Sequence, residues 1–64
     1  MRGARHFRTL EPIRAADGRM GMIKAHAVQP TDLLICLMDD GSRRDIPAER
    51  VSWAPAERCW VEAR

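Results

Sequence analysis

Residues 33–41 read Leu-Leu-Ile-Cys-Leu-Met-Asp-Asp-Gly, six apolar side chains in a row followed by a tight polar turn. The run is short for a helix and ends in a hairpin-type turn, so it reads as a strand. Successive strand residues point to opposite faces of a sheet. A strand that shows one face to water alternates apolar and polar residues. This one does not alternate, so both of its faces need cover. The chain has 64 residues, and a domain of about 60 residues buries only about 60 % of the surface its unfolded chain exposes. Such a chain encloses one core, and something else must cover the second face of the run.

Turn signals recur at 15–18, 29–32, 39–42 and 46–50, with apolar runs between them. Short, regular spacing of this kind marks an all-β barrel or sandwich. Asp17-Gly18 and Asp40-Gly41 are hairpin dipeptides, because glycine takes positive φ without steric cost and aspartate tolerates it. Strands are predicted near 5–14, 19–28, 32–39, 42–46 and 51–53. Pro47, with its fixed φ, suits the first position of a single 3₁₀ turn that reverses the chain between the fourth and fifth strands. The tail 55–64 carries two patterns. Ala56, Cys59, Trp60 and Ala63 form a helical stripe, whereas Cys59, Val61 and Ala63 form a strand alternation. The propensities of Glu57, Arg58 and the alanines tilt the reading toward a short helix. The chain reads as one domain over 1–64, with 1–4 expected as a disordered arm.

A two-residue turn at Asp40-Gly41 sets Asp39 opposite Ser42, Met38 opposite Arg43, Leu37 opposite Arg44 and Ile35 opposite Ile46. A four-residue loop at 29–32 sets Val28 opposite Leu33 and Ala25 opposite Cys36. In that register Leu33, Ile35, Leu37, Ile46, Val28 and Met22 share one face. Leu34, Cys36, Met38, Ile23, Ala25 and Ala27 share the other. The expected core is Leu10, Ile23 or Met22, Leu33, Ile35, Leu37, Ile46 and Val51. The second face is then covered either by the tail, with Trp60 laid across it, or by another subunit. Ala25 and Ala27 permit close approach of a second sheet, and Met38 adapts to irregular contacts. An exposed apolar patch of that kind marks an interaction site. The expectation is a homo-oligomer, a dimer first, joined through Leu34, Cys36, Met38 and Trp60.

Residues 18–51 resemble the core of the small five-stranded barrel shared by KOW, Tudor and Src-homology-three (SH3) modules. The resemblance rests on "GRMGMI" at 18–23, on the strand and acidic-glycine turn of "LLICLMDDG", and on "IPAERV" at 46–51 as strand, 3₁₀ turn and strand. "RMGMIKAHAV" also has the glycine and alternating apolar residues of a KOW unit. The likeness covers about half the chain and is one of fold. It implies an all-β, five-stranded SH3-like barrel, with the tail as a short C-terminal helix, and binding rather than catalysis. Fold alone does not fix function. The Tudor aromatic cage does not carry over, because the chain has no tyrosine and only Phe7, Trp53 and Trp60 are aromatic.

Eleven Lys and Arg against nine Asp and Glu give a formal net charge of +2, too small to imply a polyanion partner by itself. The distribution says more: Arg2, Arg5, Arg8 and Arg14 face only Glu11 across the first fourteen residues. All the basic residues but Lys24 are arginine, whose planar fork suits bidentate phosphate or carboxylate contacts. A GC-rich genome supplies the same excess without any ligand. Binding of single-stranded nucleic acid calls for a basic surface with aromatics that stack on bases. The candidates are Arg2, Arg5, Phe7 and Arg8 on the arm, with Arg43 and Arg44 on the fourth strand. Asp39, Asp40 and Asp45 lie beside the latter pair and offer it internal partners.

Catalytic constellations are weak. In the expected register His26 faces Ile35, so His26 and Cys36 point to opposite faces and form no dyad. Asp39 and Asp40 read as a solvated hairpin tip. His6, His26, Cys36 and Cys59 include no closely spaced pair of the kind zinc sites use, so no metal and no cofactor is expected. Two cysteines without a dense framework or a secretory leader suggest free thiols and a cytoplasmic protein. No run approaches the roughly 18 apolar residues of a membrane span. The expected function is a non-enzymatic binding module, a small homo-oligomer that binds nucleic acid or regulates. The alternatives are a protein-interaction module with a groove between Trp53, Pro55 and the 15–18 turn, and a purely structural homo-oligomer.

Overall fold

In the computed structural model, which describes residues 7–64, the apolar run is a strand, and the turn after it is one residue longer than the dipeptide suggests. The Gly41 N–H donates to the Met38 carbonyl at 2.9 Å, and the Met38 N–H donates to the Ser42 carbonyl at 2.8 Å. Asp39, Asp40 and Gly41 therefore form a three-residue loop, with Gly41 at φ 89°. This is the hairpin in which a glycine in the left-handed region follows a type I turn. Asp40 braces it, because its Oδ1 accepts the Ser42 N–H at 2.9 Å and the Ser42 hydroxyl at 2.6 Å.

Six strands form one sheet among the described residues. They are β1 (Pro12–Arg14), β2 (Met20–Ala27), β3 (Leu33–Met38), β4 (Arg43–Pro47), β5 (Val51–Ala54) and β6 (Cys59–Glu62), in the order β4-β3-β2-β1-β6-β5. The β1–β6 pair is parallel and the other pairs are antiparallel. A 3₁₀ turn at Ala48–Arg50 joins β4 directly to β5. These are the two end strands, so the sheet curls around the turn into a half-barrel.

The longer turn slides β4 by one position. Leu37 lies opposite Arg43, Cys36 opposite Arg44, Ile35 opposite Asp45 and Leu34 opposite Ile46. Ile46 is buried, so Leu34 goes inside with it, and a one-residue slip exchanges the two faces of the whole strand. Strand β2 follows. Ala27 opposes Leu33, His26 opposes Leu34 and Ala25 opposes Ile35, until an irregularity at Lys24 brings Ile23 opposite Cys36. Such a bulge adds one unpaired residue and bends the strand. His26 thus shares a face with Cys36, contrary to expectation, and its Nε2 lies 2.6 Å from Asp32 Oδ1.

The core consists of Ile13, Ala15, Ile23, Leu34, Cys36, Met38, Ile46, Ala48, Val51 and Trp60. Of the expected core, Ile23, Ile46 and Val51 are inside, while Leu33 and Ile35 are half-buried and Met22 and Leu37 are exposed. Leu10 is also outside at 60 % exposure. The strand expected from residue 5 starts only at Pro12, because Leu10 turns back at φ 70°. The expected arm at 1–4 lies outside the described residues. The expected interface residues Leu34, Cys36, Met38 and Trp60 are 0 %, 1 %, 3 % and 4 % exposed within a single chain. They are core, and the tail, through Trp60, covers that face.

The short C-terminal helix is replaced by β6. Residues 55–58 make a single turn, in which the Glu57 and Arg58 N–H groups reach the Ala54 carbonyl at 3.1 and 2.8 Å. Arg58 then takes φ 55°, and the chain continues as a strand between β1 and β5. There it pairs its backbone on both sides, which an isolated helix of a few residues cannot match. Close packing also requires Gly21, since a Cβ there would lie 2.7 Å from the Leu37 carbonyl oxygen.

Adjacent residues of β3 should therefore differ sharply. Leu34→Ala is expected to cost about 2–5 kcal/mol of unfolding free energy, as for a fully buried leucine. Ile35→Ala should cost less than half as much as Leu34→Ala. Urea denaturation of both variants measures the difference, and equal costs would contradict the register.

Candidate functional site

The face exchange leaves an apolar outer surface on the central strands. Pro12, Met22 and Leu37 form one row across β1, β2 and β3; Ala25 and Ile35 form a second; Ala27, Leu33 and Pro47 form a third across β2, β3 and β4. Met22 is 41 % exposed and Leu37 37 %. Leu33, Ile35, Ala27 and Pro47 are half-buried by their neighbours. Charge enters at the β4 rim, where Arg43 stands opposite Leu37 and Asp45 opposite Ile35. Those two close on each other, Arg43 Nε to Asp45 Oδ1 at 3.0 Å and Nη2 to Oδ2 at 3.1 Å. The hydrogen bonds from Arg43 hold the Asp45 carboxyl below the usual carboxylate range.

A second feature is the aromatic cluster on the inner side. Glu11 Oε1 accepts the Trp60 Nε1–H at 3.0 Å and the Arg8 N–H at 2.8 Å. This ties the segment before β1 to the core. Phe7 is thereby laid on Trp60, with centroids 4.3 Å apart, and its ring meets His26 at 5.0 Å in an edge contact. Phe7 is a partly buried member of this cluster. Trp53 meets Trp60 edge-on at 5.3 Å and remains 43 % exposed, on the end strand β5.

The expected basic site is dispersed. Arg43 is bound to Asp45, and Arg44 Nη2 reaches Asp17 Oδ2 at 3.1 Å. Asp17 is held below the usual carboxylate range, first by the Arg19 N–H and then by Arg44. Arg19 pairs with Asp40 at 2.7 Å and Arg14 with Glu57. The Arg8 side chain carries no ion pair among the described residues, and Arg2 and Arg5 lie outside them. Without Arg2 and Arg5, the eleven basic residues become nine, against nine acidic residues that all lie within 7–64. Residues 7–64 are formally neutral, and the whole excess of +2 lies in residues 1–6. The expected groove also differs: the 15–18 turn faces the chain end, bordering a groove of about 280 Å³ with Arg14, Val61, Glu62 and Arg64, without Trp53 or Pro55.

Among the described residues no three His, Cys, Asp or Glu side chains are placed to hold a metal ion. No helix there is long and apolar enough to cross a membrane. Set against known protein families, curated proteins and solved structures, the chain matches none of them. Leu33, Ile35 and Leu37, expected inside, form the outer face. Ser42 after Asp-Asp-Gly was the available signal, since an Asx contact to it favours the longer loop. The place of Trp53 on an end strand follows from β6, which the helical pattern of the tail hides.

Burial pushes the Cys36 thiol up to about 11, with Asp45 and Glu62 adding to the effect. The folded state thus keeps the proton that the unfolded chain loses near pH 9. Stability from this group is complete below about pH 9 and falls as pH rises toward about 11, by about 2–3 kcal/mol at most. Urea unfolding at pH 8 and pH 10.5 should show a larger loss for the wild type than for Cys36→Ala, which lacks the titration.

Proposed function

We propose that the protein is a non-enzymatic interaction module that self-associates through the outer face of β2 and β3. The observation that carries this reading is the uncovered apolar surface around Met22, Leu37 and Ile35 on a formally neutral domain. Contiguous exposed apolar surface on a small soluble domain marks an interaction site. A chain near 60 residues with one small core gains most from burying such a face against another copy. Two-fold docking places the same patch on both sides. The alternating Arg43 and Asp45 at the rim suit that symmetry, because antiparallel apposition sets each arginine against an aspartate of the other copy. The strand, 3₁₀ turn and strand at 43–54 and the curl of the sheet support an SH3-like small barrel, here opened to six strands.

Light scattering at high salt should give a dimer or larger species at micromolar concentration, and Leu37→Glu or Met22→Glu should prevent that contact by placing a charge in it. Their thermal stability should stay close to the monomeric limit, since neither side chain is in the core. A wild type that is monomeric up to millimolar concentration overturns the reading.

A second reading, nucleic-acid binding, is favoured by one observation, the confinement of the net charge to Arg2 and Arg5. Phosphate contacts by an arm release counterions and fall steeply with salt. Titration of a labelled single-stranded oligonucleotide should then show that Arg2→Ala with Arg5→Ala lowers the salt slope by about 1.4, the value for two single-strand contacts. An unchanged slope removes this reading.

A further inference from the structure

We infer that the free edge of β5 is a second self-association surface, distinct from the outer face, at which two copies pair antiparallel and continue one curled sheet into the next. Strands β4 and β5 are the ends of the sheet, and each has one edge without a strand partner among the described residues. The two edges are built differently. β4 carries Arg43, Arg44, Asp45 and Pro47, the charges and proline that blunt an edge against pairing. β5 is Val-Ser-Trp-Ala, with no charge and no proline. Its neighbour across the sheet, β6, leaves the other side open.

The hydrogen-bond phase of β5 says which groups that edge offers. The Ala63 N–H donates to the Arg50 carbonyl at 2.8 Å, so Arg50 and Ala63 are a bonded pair. Bonded and non-bonded pairs alternate along an antiparallel ladder. Ser52 opposite Val61 and Ala54 opposite Cys59 therefore turn their backbone groups toward β6. Val51 and Trp53 turn theirs outward. The Val51 N–H is already taken by the Ala48 carbonyl of the 3₁₀ turn. Trp53 is left with an outward donor and an outward acceptor. Two copies related by a two-fold axis at Trp53 satisfy both, each Trp53 N–H donating to the Trp53 carbonyl of the other. Pro55, the next outward position, has no N–H, so the pairing ends there without an orphaned donor.

The two-fold selects a second copy as the occupant, because it sets the half-exposed Trp53 indole of each copy directly across from that of the other, an aromatic cross-strand pair. Glu49 and Arg50 stand just before β5 and Glu57 and Arg58 in the turn just after it, so each end of the edge is formally neutral and neither end repels the other. The pairing covers both indoles.

Sedimentation equilibrium of wild type, Trp53→Lys, Leu37→Glu and the double variant tests this surface separately from the outer face. The expected result is a wild-type mass that grows beyond a dimer with concentration. Trp53→Lys and Leu37→Glu should each stop at a dimer, and the double variant should be monomeric. A wild type that stops at a dimer dissolved by Leu37→Glu and untouched by Trp53→Lys overturns the edge and leaves the outer face standing. A dimer dissolved only by Trp53→Lys does the reverse, and a wild type that is monomeric throughout overturns both. Should Trp53→Lys fail to fold, amide exchange in the wild type decides: the Trp53 N–H must become more protected as concentration rises, and no change overturns the edge.

Discussion

A single backbone hydrogen bond, from the Gly41 N–H to the Met38 carbonyl at 2.9 Å, sets the length of the loop that leads from β3 into β4. With three residues in that loop, Ile46 meets Leu34, and a fully apolar strand acquires an inside and an outside. Every later feature inherits this choice. Leu34, Cys36 and Met38 become core with Ile13, Val51 and Trp60, while Leu33, Ile35 and Leu37 face outward. The loop holds its length because glycine takes φ 89° at no steric cost and Asp40 engages both groups of Ser42. Gly21 does a related job on the neighbouring strand, where any Cβ would strike the backbone of Leu37.

The inner face is closed by segments from both ends of the chain. Trp60 enters from β6, anchored through its indole N–H to Glu11, and Phe7 packs on its ring. Buried indoles need a hydrogen-bond partner, and Glu11 supplies one while also accepting the Arg8 N–H. This clasp joins residues 49 positions apart in sequence. It accounts for the reversal at Leu10, because a strand running straight on from β1 would carry Phe7 away from Trp60.

The surface that remains combines an apolar sheet face, two end-strand edges of different composition and four arginines, Arg14, Arg19, Arg43 and Arg44, held by neighbouring carboxylates. Exposed ion pairs of this kind add little stability, but they neutralise the domain and lower its attraction for polyanions. Charge complementarity then operates at short range, as between Arg43 and Asp45 at the β4 rim. Both ends of the sheet flank the same 3₁₀ turn, yet only β4 is protected by charge and proline. That asymmetry leaves β5 the less protected of the two end strands.

The sequence by itself determined the all-β class, the positions of the turns, the strand–3₁₀–strand passage at Pro47 and the presence of two apolar faces on residues 33–38. These are local properties, expressed in turn dipeptides, the fixed φ of proline and residues a few positions apart. Tertiary structure alone decided which apolar face is the core, because Asp40-Gly41 is compatible with a two- or a three-residue loop and one residue inverts the strand. It also decided the state of 59–62. Helical propensity there amounts to a few tenths of a kcal/mol per residue, while the competing strand is held by ladders to β1 and β5, whose partners lie far away in the chain. Long-range backbone pairing leaves no periodic mark in the segment that receives it, and so Trp60 read equally well as a helix, a tail or a subunit contact until its place between β1 and β5 was set.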